Sequence, residues 1–344
     1  MVGILLRSSA RTHTSRRWSF AAVAVSASLV LAGCGGGDEE SADAPEGQST
    51  ADSSTLSGQW PLTGLPAEGE APKHPVMVVK IDNTASSNPQ VGLAKADLVT
   101  EELVEGGSTR LAVFYHSQLP KRVGPVRSFR ATDIGIVEPA NAVLVASGGA
   151  GPTVKRMEKA GIKTLTEGAP GYSRDNSRQS PYNLFMDLPK LAKTLKPGKA
   201  PESYFPWGSA DDFPAGQPAK GLAAEFSGGH TTNWSFKGGK YVNANSEAPS
   251  NDQFKPKTVL VLRTKVGDAG YKDPAGNPVP ETKFTGTGEA MVFHDGKVVR
   301  GTWTKRGLDS AVTLKTKAGE LALPPGKVWM ELVPKNGGDV TITK

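Results

Sequence analysis

The stretch Glu-Gly-Gly-Ser-Thr-Arg-Leu-Ala-Val-Phe-Tyr-His-Ser-Gln-Leu-Pro-Lys-Arg-Val-Gly-Pro-Val-Arg-Ser-Phe-Arg occupies residues 105–130, and the rest of the chain is organised around it. A Gly-Gly turn precedes an apolar run at residues 111–115 that is typical of a buried strand. A second turn, Gly124-Pro125, leads directly to Arg127 and Arg130. This order of turn, strand, turn and cations predicts a rigid ledge with positive charge at its edge.

The segment around this stretch, residues 73–200, alternates between strand-like and helix-like patterns. Short, continuous apolar runs predict buried strands at residues 76–81, 142–147 and 162–165. Apolar residues at helical spacing predict helices at residues 131–137, 152–160 and 184–195. Residues 93–104 fit either a helix followed by a strand or one long strand. Because alternating strands and helices are typical of layered α/β domains, we expect this fold for residues 73–200.

The pattern changes at residues 201–220, a proline-rich segment that we interpret as a connection between two domains. Beyond it the apolar runs are short and separated by turns, as in antiparallel sheets. Asp295-Gly296, between two alternating runs, is the strongest hairpin signal in the chain. The predicted fold class is therefore α/β to α+β: an N-terminal mixed α/β layered domain, followed by a smaller, mostly antiparallel β domain at residues 221–344.

Residues 1–33 have the pattern of a signal peptide that directs export and is then removed. Arginines precede an apolar run at residues 21–31, which is too short to cross a bilayer as a helix. The run ends in Leu-Ala-Gly-Cys, which resembles the lipobox of bacterial lipoproteins. This motif predicts cleavage before Cys34 and attachment of diacylglyceryl and acyl lipids to Cys34. Cys34 is the only cysteine in the chain, so the predicted mature protein contains no internal disulfide.

The predicted cellular location is the outer face of the cell membrane, where the lipid on Cys34 anchors the protein. Arg16-Arg17 leaves two export routes open, the general secretory route and the twin-arginine route. Residues 34–72 are rich in Gly, Ser, Ala, Asp and Glu, and this composition predicts a disordered, acidic tether.

The charge of the chain suggests what kind of partner the body meets. The full sequence has 40 basic and 34 acidic residues, and the acidic tether leaves the body with a larger basic excess. A basic exported body suits an anionic envelope polymer or a lipid-linked precursor, although lysines that only keep a surface soluble give the same excess. The membrane is the other expected partner, through the lipid anchor. Nucleic acid is not expected, because of the predicted compartment.

Two loops concentrate arginine, whereas lysine dominates the rest of the body. Arginine forms paired hydrogen bonds with phosphate or carboxylate, so we interpret these loops as binding an anionic, phosphate- or uronate-bearing ligand. An alternative stays open, in which Arg110 or Arg127 pairs with acidic residues at positions 101, 102 or 105 and holds the sheet together. The candidate ligand-binding residues are Arg110, Arg127, Arg130, Arg174, Arg178 and Asn183.

A smaller group of acids, Asp82, Glu102 and Glu105, is a candidate acid or metal cluster at strand ends. Their spacing matches no known metal loop, so no metal or other cofactor is expected, and a divalent cation has no support beyond the acids themselves. The sequence contains no zinc spacing, catalytic triad spacing, P-loop or dinucleotide fingerprint. The chain is therefore more consistent with a binding protein than with an enzyme. Two alternatives remain: phosphoryl or glycosyl-phosphate transfer on cell-wall precursors, and a scaffold for another envelope protein.

Several short motifs together resemble the YerB-like family of bacterial lipoproteins, with a match over roughly residues 73–333. The N-terminal motifs are Asp82-Asn83, Pro89-Gln90, Gly92-Leu93, Ala96-Asp97, Glu105-Gly106-Gly107, Thr109-Arg110, Gly124-Pro125-Val126-Arg127-Ser128 with Arg130, and Arg174 with Arg178, Pro181 and Asn183. The C-terminal motifs are Gly288 to Thr304 and Leu332-Val333-Pro334. After Tyr241 the chain departs from the family, with Val242-Asn243-Ala244-Asn245 where an arginine and a glycine turn are usual. The resemblance implies a two-domain envelope lipoprotein, in a family whose function is unknown.

Overall fold

A computed structural model describes residues 58–198 and 201–344. The predicted signal peptide, the lipidated Cys34 and the first part of the predicted tether lie outside the described residues. Within the described ranges, none of the helices has the length and apolar character needed to span a bilayer.

Short strands and few helices make up the N-terminal half. Its strands are β1 (Met77–Asp82), β2 (Leu98–Leu103), β3 (Thr109–Tyr115), β4 (Val143–Val145), β5 (Thr164–Leu165), β6 (Tyr172–Arg174) and β7 (Leu184–Met186). Its helices are α1 (Asp133–Val137), α2 (Gly151–Lys159) and α3 (Leu188–Ala192), with single 3-10 turns at Ala85–Ser87, Leu93–Lys95, Glu105–Gly107 and Glu138–Ala140.

The C-terminal half consists of strands. They are β8 (Gln217–Pro218), β9 (Gly221–Ser227), β10 (His230–Lys237), β11 (Lys240–Asn243), β12 (Thr258–Lys272), β13 (Pro278–Lys283), β14 (Gly286–His294), β15 (Lys297–Lys305), β16 (Thr313–Thr316), β17 (Gly319–Leu321), β18 (Val328–Pro334) and β19 (Asp339–Thr343). The predicted hairpin at Asp295-Gly296 joins β14 to β15. The predicted fold class, a mixed α/β part followed by a mostly antiparallel β part, is confirmed.

A single large sheet runs through both halves of the chain. Its main path has the order β17-β16-β15-β14-β12-β18-β2-β3-β1-β4-β5, and β13 and β8 pair at its sides. Strand β18 lies between β12 and β2 and is parallel to both. All seven of its residues are buried, as expected of a central strand covered on both faces. The predicted connection at residues 201–220 therefore separates two segments that contribute to one sheet.

Each face of the large sheet carries its own core. On one face the strands pack against a four-stranded sheet of order β11-β10-β9-β19 and against apolar residues of β7 and α3. On the other face they pack against α1 and α2 and against Tyr204 and Phe205. Alternate residues of a strand point to opposite faces, so Val79 and Ile81 of β1 enter the first core and Val78 enters the second.

One segment differs from the sequence-based expectation, and a second decides between the two alternatives that the sequence left open. Residues 184–195 form β7 and then the five-residue α3, not one helix, because Asp187 ends the strand and caps the helix by accepting a hydrogen bond from the Lys190 N–H. Proline follows in the first turn of α3, where it is tolerated. Residues 93–104, which left two readings open, form a 3-10 turn followed by β2.

The end of the predicted tether, residues 58–72, packs on the body. Leu62 is buried, and the carbonyl of Pro61 accepts hydrogen bonds from the Tyr204 N–H at 3.0 Å and from the Trp207 indole at 3.1 Å. For these residues the structure replaces the predicted disorder with an ordered turn, because they include apolar side chains that the acidic residues before them lack.

The carboxyl ends of β1, β2 and β4 meet at one edge of the large sheet, beside the start of β3. The loop at residues 126–128 enters the gap between β1 and β4 at this edge. The Arg127 N–H donates to the Lys80 carbonyl at 2.9 Å, and the Ser147 N–H donates to the Arg127 carbonyl at 3.0 Å. This edge brings the predicted arginine ledge together with the predicted acids.

Candidate functional site

Three of the five candidate arginines gather at this edge. Arg110 lies at the start of β3. Arg127 and Arg130 lie on the segment that connects β3 to α1, part of which enters the gap between β1 and β4. Asp82, at the end of β1, is the register partner of Arg110, and Glu105 lies in the turn just before β3. We call these five side chains the arginine cluster.

Glu105 is the shared partner of two guanidinium groups. Arg130 binds it with two nitrogens, one of them Nε, which donates to Glu105 Oε2 at 2.8 Å. Arg110 Nη2 lies 3.3 Å from Glu105 Oε1. Burial alone would raise the pKa of Glu105, but the hydrogen bond from Arg130 and the charges of both arginines lower it. Glu105 is therefore a fixed anion at the centre of the cluster.

The second carboxylate, Asp82, holds Arg127. Arg127 Nε lies 3.1 Å from Asp82 Oδ2, and the guanidinium lies over the ring of Tyr182, 5.0 Å from the centroid. Asp82 also accepts a hydrogen bond from the Thr84 N–H at 2.9 Å. The sequence alternative of internal pairing thus describes Arg110, which pairs with Glu105, whereas Arg127 pairs with Asp82, a residue outside that alternative.

Positive charge still exceeds negative charge in the arginine cluster. Three guanidinium groups share two carboxylates, and Arg110 is only 6% exposed. Burial, together with the nearby charge of Arg130, lowers the pKa of Arg110 to about 10. Its Nε has no hydrogen-bond partner among the described residues. A buried donor without a partner and an unbalanced charge both favour the approach of an anion.

Next to the cluster lies a fully buried group of charges, joined to it by the Arg130 N–H, which donates to Asp133 Oδ2 at 2.7 Å. Lys80 Nζ lies 2.6 Å from Glu102 Oε1 and 2.8 Å from Asp133 Oδ1, and the three side chains are 0% exposed. Burial, and then the charge of Asp133, raises the pKa of Glu102 to about 7. Because solvent does not reach Glu102, this predicted site residue is placed to support the sheet and not to contact a ligand.

A cleft of about 580 Å³ opens beside the cluster. Of the three clustered arginines, only Arg130 is among its lining residues. One wall consists of the loop around it, Ser128, Arg130 and Ser147 to Ala150, and the opposite wall consists of Tyr271 to Pro274 and Val279 from the β12–β13 hairpin. The volume is within the range of small-molecule sites.

The β12–β13 hairpin belongs to the C-terminal half but is fastened to helix α2 of the N-terminal half. Arg156 donates to both carboxylate oxygens of Glu281, at 2.9 and 2.6 Å. The hydroxyls of Thr153 and Tyr271 are hydrogen-bonded at 2.7 Å. These contacts hold the two walls of the cleft at a fixed separation.

Sequence reasoning missed the glycine loop that lines the cleft, residues 148–150. It follows β4 and precedes α2, whose amino end lacks a side-chain cap. A methyl group at position 149 would overlap the ring of Phe129, so the close approach requires glycine. The order of strand, glycine loop and helix is a recognised signal for anion binding by backbone N–H groups. The sequence contains this signal, directly after the strand predicted at residues 142–147.

The other candidate arginines lie in the neighbouring loop and bind protein atoms. Arg174 pairs with Glu167, with Nε 2.6 Å from Oε1, and donates to Asn183 Oδ1 at 2.6 Å. Arg178 donates to the carbonyls of Ser87 at 2.7 Å and Pro89 at 2.9 Å. The loop reaches the cluster through the Pro181 carbonyl, which accepts a hydrogen bond from Arg127 at 3.4 Å. Arg174, Arg178 and Asn183 therefore shape the loop beside the cluster.

In residues 58–198 and 201–344, no group of three or more His, Cys, Asp or Glu side chains is arranged to hold a metal ion. The candidate acids Asp82 and Glu105 are engaged with the arginines, and Glu102 is engaged with Lys80.

Comparison with known proteins gives a matching family model for each half of the chain. A family model described as "Protein of unknown function (DUF3048) N-terminal domain" matches residues 62–200, and one described as "Protein of unknown function (DUF3048) C-terminal domain" matches residues 222–330. The Bacillus subtilis (strain 168) protein named "Putative lipoprotein YerB" is 24% identical over 287 residues, which cover 80% of this chain and 86% of the relative.

The fold is also similar to a solved structure. The crystal structure of YerB from Bacillus subtilis superposes with a TM-score of 0.68 at 20% identity, over 82% of this chain and 99% of the crystallised chain. At this identity the likeness shows the fold alone. The two matching domain models and the relative over most of its length together show that this chain belongs to the YerB-like family of proteins of unknown function.

Proposed function

We propose that the protein is a membrane-anchored lipoprotein of the cell envelope that binds an anionic, phosphate- or uronate-bearing ligand in the cleft beside its arginine cluster. The observation that carries this proposal is the unbalanced cluster: three largely buried guanidinium groups share two carboxylates, and one of the three lines an open cleft.

Arg130 is the contact group in this proposal. Its guanidinium is oriented by Glu105 and is therefore ordered before the ligand arrives, which lowers the entropy cost of binding. Arg110 and Arg127 act through their charge, because a buried positive charge attracts an anion more strongly than an exposed one. Ser128, Ser147 and the backbone N–H groups of the glycine loop supply further donors to phosphate or carboxylate oxygens.

The size of the cleft bears on the ligand. A cavity of about 580 Å³ is larger than a single phosphate or carboxylate needs. Its far wall, with Tyr271, Pro274 and Val279, offers apolar surface to the rest of the ligand. An envelope polymer or a lipid-linked precursor has both parts, an anionic group and a larger body.

The membrane anchor in this proposal is a diacylglyceryl and acyl lipid on Cys34, at the outer face of the membrane. Its support is the Leu-Ala-Gly-Cys sequence and the name of the Bacillus relative. Incorporation of a radiolabelled fatty acid into the chain tests it, with Cys34→Ser as the control variant. Label in both proteins would contradict the proposed anchor.

Group transfer, the enzymatic alternative, needs a carboxylate that is free to act as a base or to hold a cation. Each of the three candidate carboxylates already has a cationic partner, so the geometry favours binding. No surface of the described residues specifically favours the scaffold alternative.

Thermal unfolding of the purified full chain, with inorganic pyrophosphate and polygalacturonate as probes, tests ligand binding. A ligand at about 100 times its Kd adds about 2.7 kcal/mol to stability, which corresponds to a rise in Tm of about 4 °C. We expect Arg130→Gln to abolish this rise and Arg127→Gln to reduce it.

Arg300→Gln is the matched control, because Arg300 is an exposed arginine on β15, on the far side of β12 and β14 from the arginine cluster. It should keep the full rise in Tm. A wild-type protein that responds to neither probe, or an Arg130→Gln variant that responds as wild type does, would contradict the proposed function.

A further inference from the structure

The face of the large sheet opposite the arginine cluster buries two carboxyl groups side by side. Glu101 on β2 and Glu331 on β18 are register partners on adjacent parallel strands, and both are 0% exposed. Glu331 Oε2 has no hydrogen-bond donor among the described residues. Among the described residues no lysine or arginine pairs with either carboxyl; the cationic partner is His230.

His230 and its neighbours come from the smaller sheet. Alternate residues of a strand share a face, and on β10 the residues 230, 232 and 234 all reach this pair. His230 Nε2 lies 2.8 Å from Glu101 Oε1, and the Thr232 hydroxyl donates to Glu101 Oε2 at 2.9 Å. The Trp234 indole donates to Glu331 Oε1 at 2.7 Å. The two carboxyl groups thus accept the main polar contacts that β10 makes with the large sheet.

Glu101 also gathers donors from its own half of the chain. Thr109 donates to Glu101 Oε1 at 2.7 Å, and Asn83 donates to the same oxygen at 2.9 Å. All of these donors favour a charged Glu101. A second full negative charge at Glu331, away from water and beside the first, is strongly unfavourable.

We propose that Glu101, Glu331 and His230 form a proton-binding site that fastens the smaller sheet to the large sheet, and that this fastening weakens as the medium becomes alkaline. In the fastened state Glu331 is protonated and donates a hydrogen bond to Glu101. Glu101 is ionised, and His230 is protonated. The three side chains are then neutral as a group, so their burial is compatible with a stable interface.

The expected protonation of each group follows from its surroundings. Burial, and then the charge of Glu101, raises the pKa of Glu331 well above its usual value. Burial alone would lower the pKa of His230, but the hydrogen bond and charge of Glu101 raise it, and Glu247, in the loop after β11, adds to this. Burial opposes the ionisation of Glu101, but the hydrogen bond and charge of His230, together with further hydrogen bonds such as that from Thr109, lower the pKa of Glu101.

The sign of the pH dependence follows from these directions. Glu331 and His230 bind protons more tightly in the folded state, so their contribution to stability is lost as pH rises above the unfolded values of 4.5 and 6.5 and towards the folded ones. Glu101 behaves in the opposite way, and its contribution is lost as pH falls below 4.5. The interface is therefore strongest in mildly acidic medium and weakens on the alkaline side.

Urea unfolding of the full chain from about pH 5 to about pH 9 tests the proposal. The unfolding equilibrium constant of wild type should rise, relative to that of Glu331→Gln, by about tenfold per pH unit for as long as folded Glu331 keeps its proton. Relative to His230→Gln, the same rise should begin only above about pH 6.5. Ratios that stay constant with pH would overturn the proposal.

Glu320→Gln, which removes an exposed carboxyl group on β17, controls for the loss of one charge. If a buried variant does not fold, infrared spectroscopy of the wild-type protein decides the question. A protonated carboxyl band that persists at about pH 7 to 8, where ordinary carboxyl groups are ionised, supports the proposal. Glu102, on the opposite face of the sheet, also has a raised pKa. If the band disappears in the Glu102→Gln variant, the band belongs to Glu102, and this result would count against the proposal.

Discussion

Replacing Glu105 by glutamine is the change that most directly disturbs the arginine cluster. The substitution preserves the size of the side chain but leaves Arg110 and Arg130 without their shared carboxylate. The side chains of these arginines are only 8% and 10% exposed, so water replaces the lost partner poorly. Removal of one partner from a buried ion pair costs about 3 to 5 kcal/mol.

We expect Glu105→Gln to lose about 3 kcal/mol of stability, at the lower end of that range because Glu105 keeps 15% of its side chain exposed. This corresponds to a fall in Tm of about 4 to 5 °C for a protein of this size. The loss arises because the variant has three positive charges opposed by Asp82 alone, where wild type has three opposed by two carboxylates.

The assay is urea unfolding at low ionic strength, with and without pyrophosphate. An anion should recover more stability in Glu105→Gln than in wild type, because the increase in excess positive charge beside the cleft outweighs the lost orientation of Arg130 by Glu105. Equal stability of variant and wild type, or a loss that pyrophosphate does not reduce, would refute the account of the cluster as a site with excess positive charge.

Three further predictions concern the surroundings of the site. Gly149→Ala should weaken pyrophosphate binding measured by calorimetry by about tenfold or more, because its methyl group displaces Phe129 and with it the glycine loop; unchanged affinity would contradict the role of this loop. Lys80→Met should lower the unfolding free energy by about 3 kcal/mol or more in urea, because the two carboxyl groups beside it lose their cation; a fully stable variant would contradict this. Arg156→Ala should speed amide hydrogen exchange in the β12–β13 hairpin, since the bond to Glu281 fastens it to α2; exchange as slow as in wild type would show that other contacts fasten it.

Local patterns were sufficient to predict many strands of the fold. The apolar runs at residues 76–81 and 111–115 became β1 and β3, which are buried on both faces, and continuous apolar runs are typical of such strands. The position of β18 between β12 and β2 could not be predicted, because pairing between residues more than 200 positions apart leaves no local signal. The short helix α3 was overestimated, because apolar residues on both sides of Asp187 imitate helical spacing.

The candidate site was predictable in its cations and not in its shape. The turn chemistry around Gly124 marked the arginines that form the cluster, and Glu105 was among the predicted acids. Which carboxylate each arginine would bind depends on tertiary distances that spacing does not encode. The wall around Tyr271 comes from the C-terminal half and reaches α2 by contacts across more than 100 residues, so no sequence pattern pointed to it.

A crystal structure of the full chain with bound pyrophosphate would test the central claim most directly. We predict a phosphate group within hydrogen-bond distance of the Arg130 guanidinium and the backbone N–H groups of residues 148–150, with the Arg130–Glu105 pair retained. Pyrophosphate bound only to surface lysines, with the cleft empty, would contradict the claim that the arginine cluster recognises the ligand.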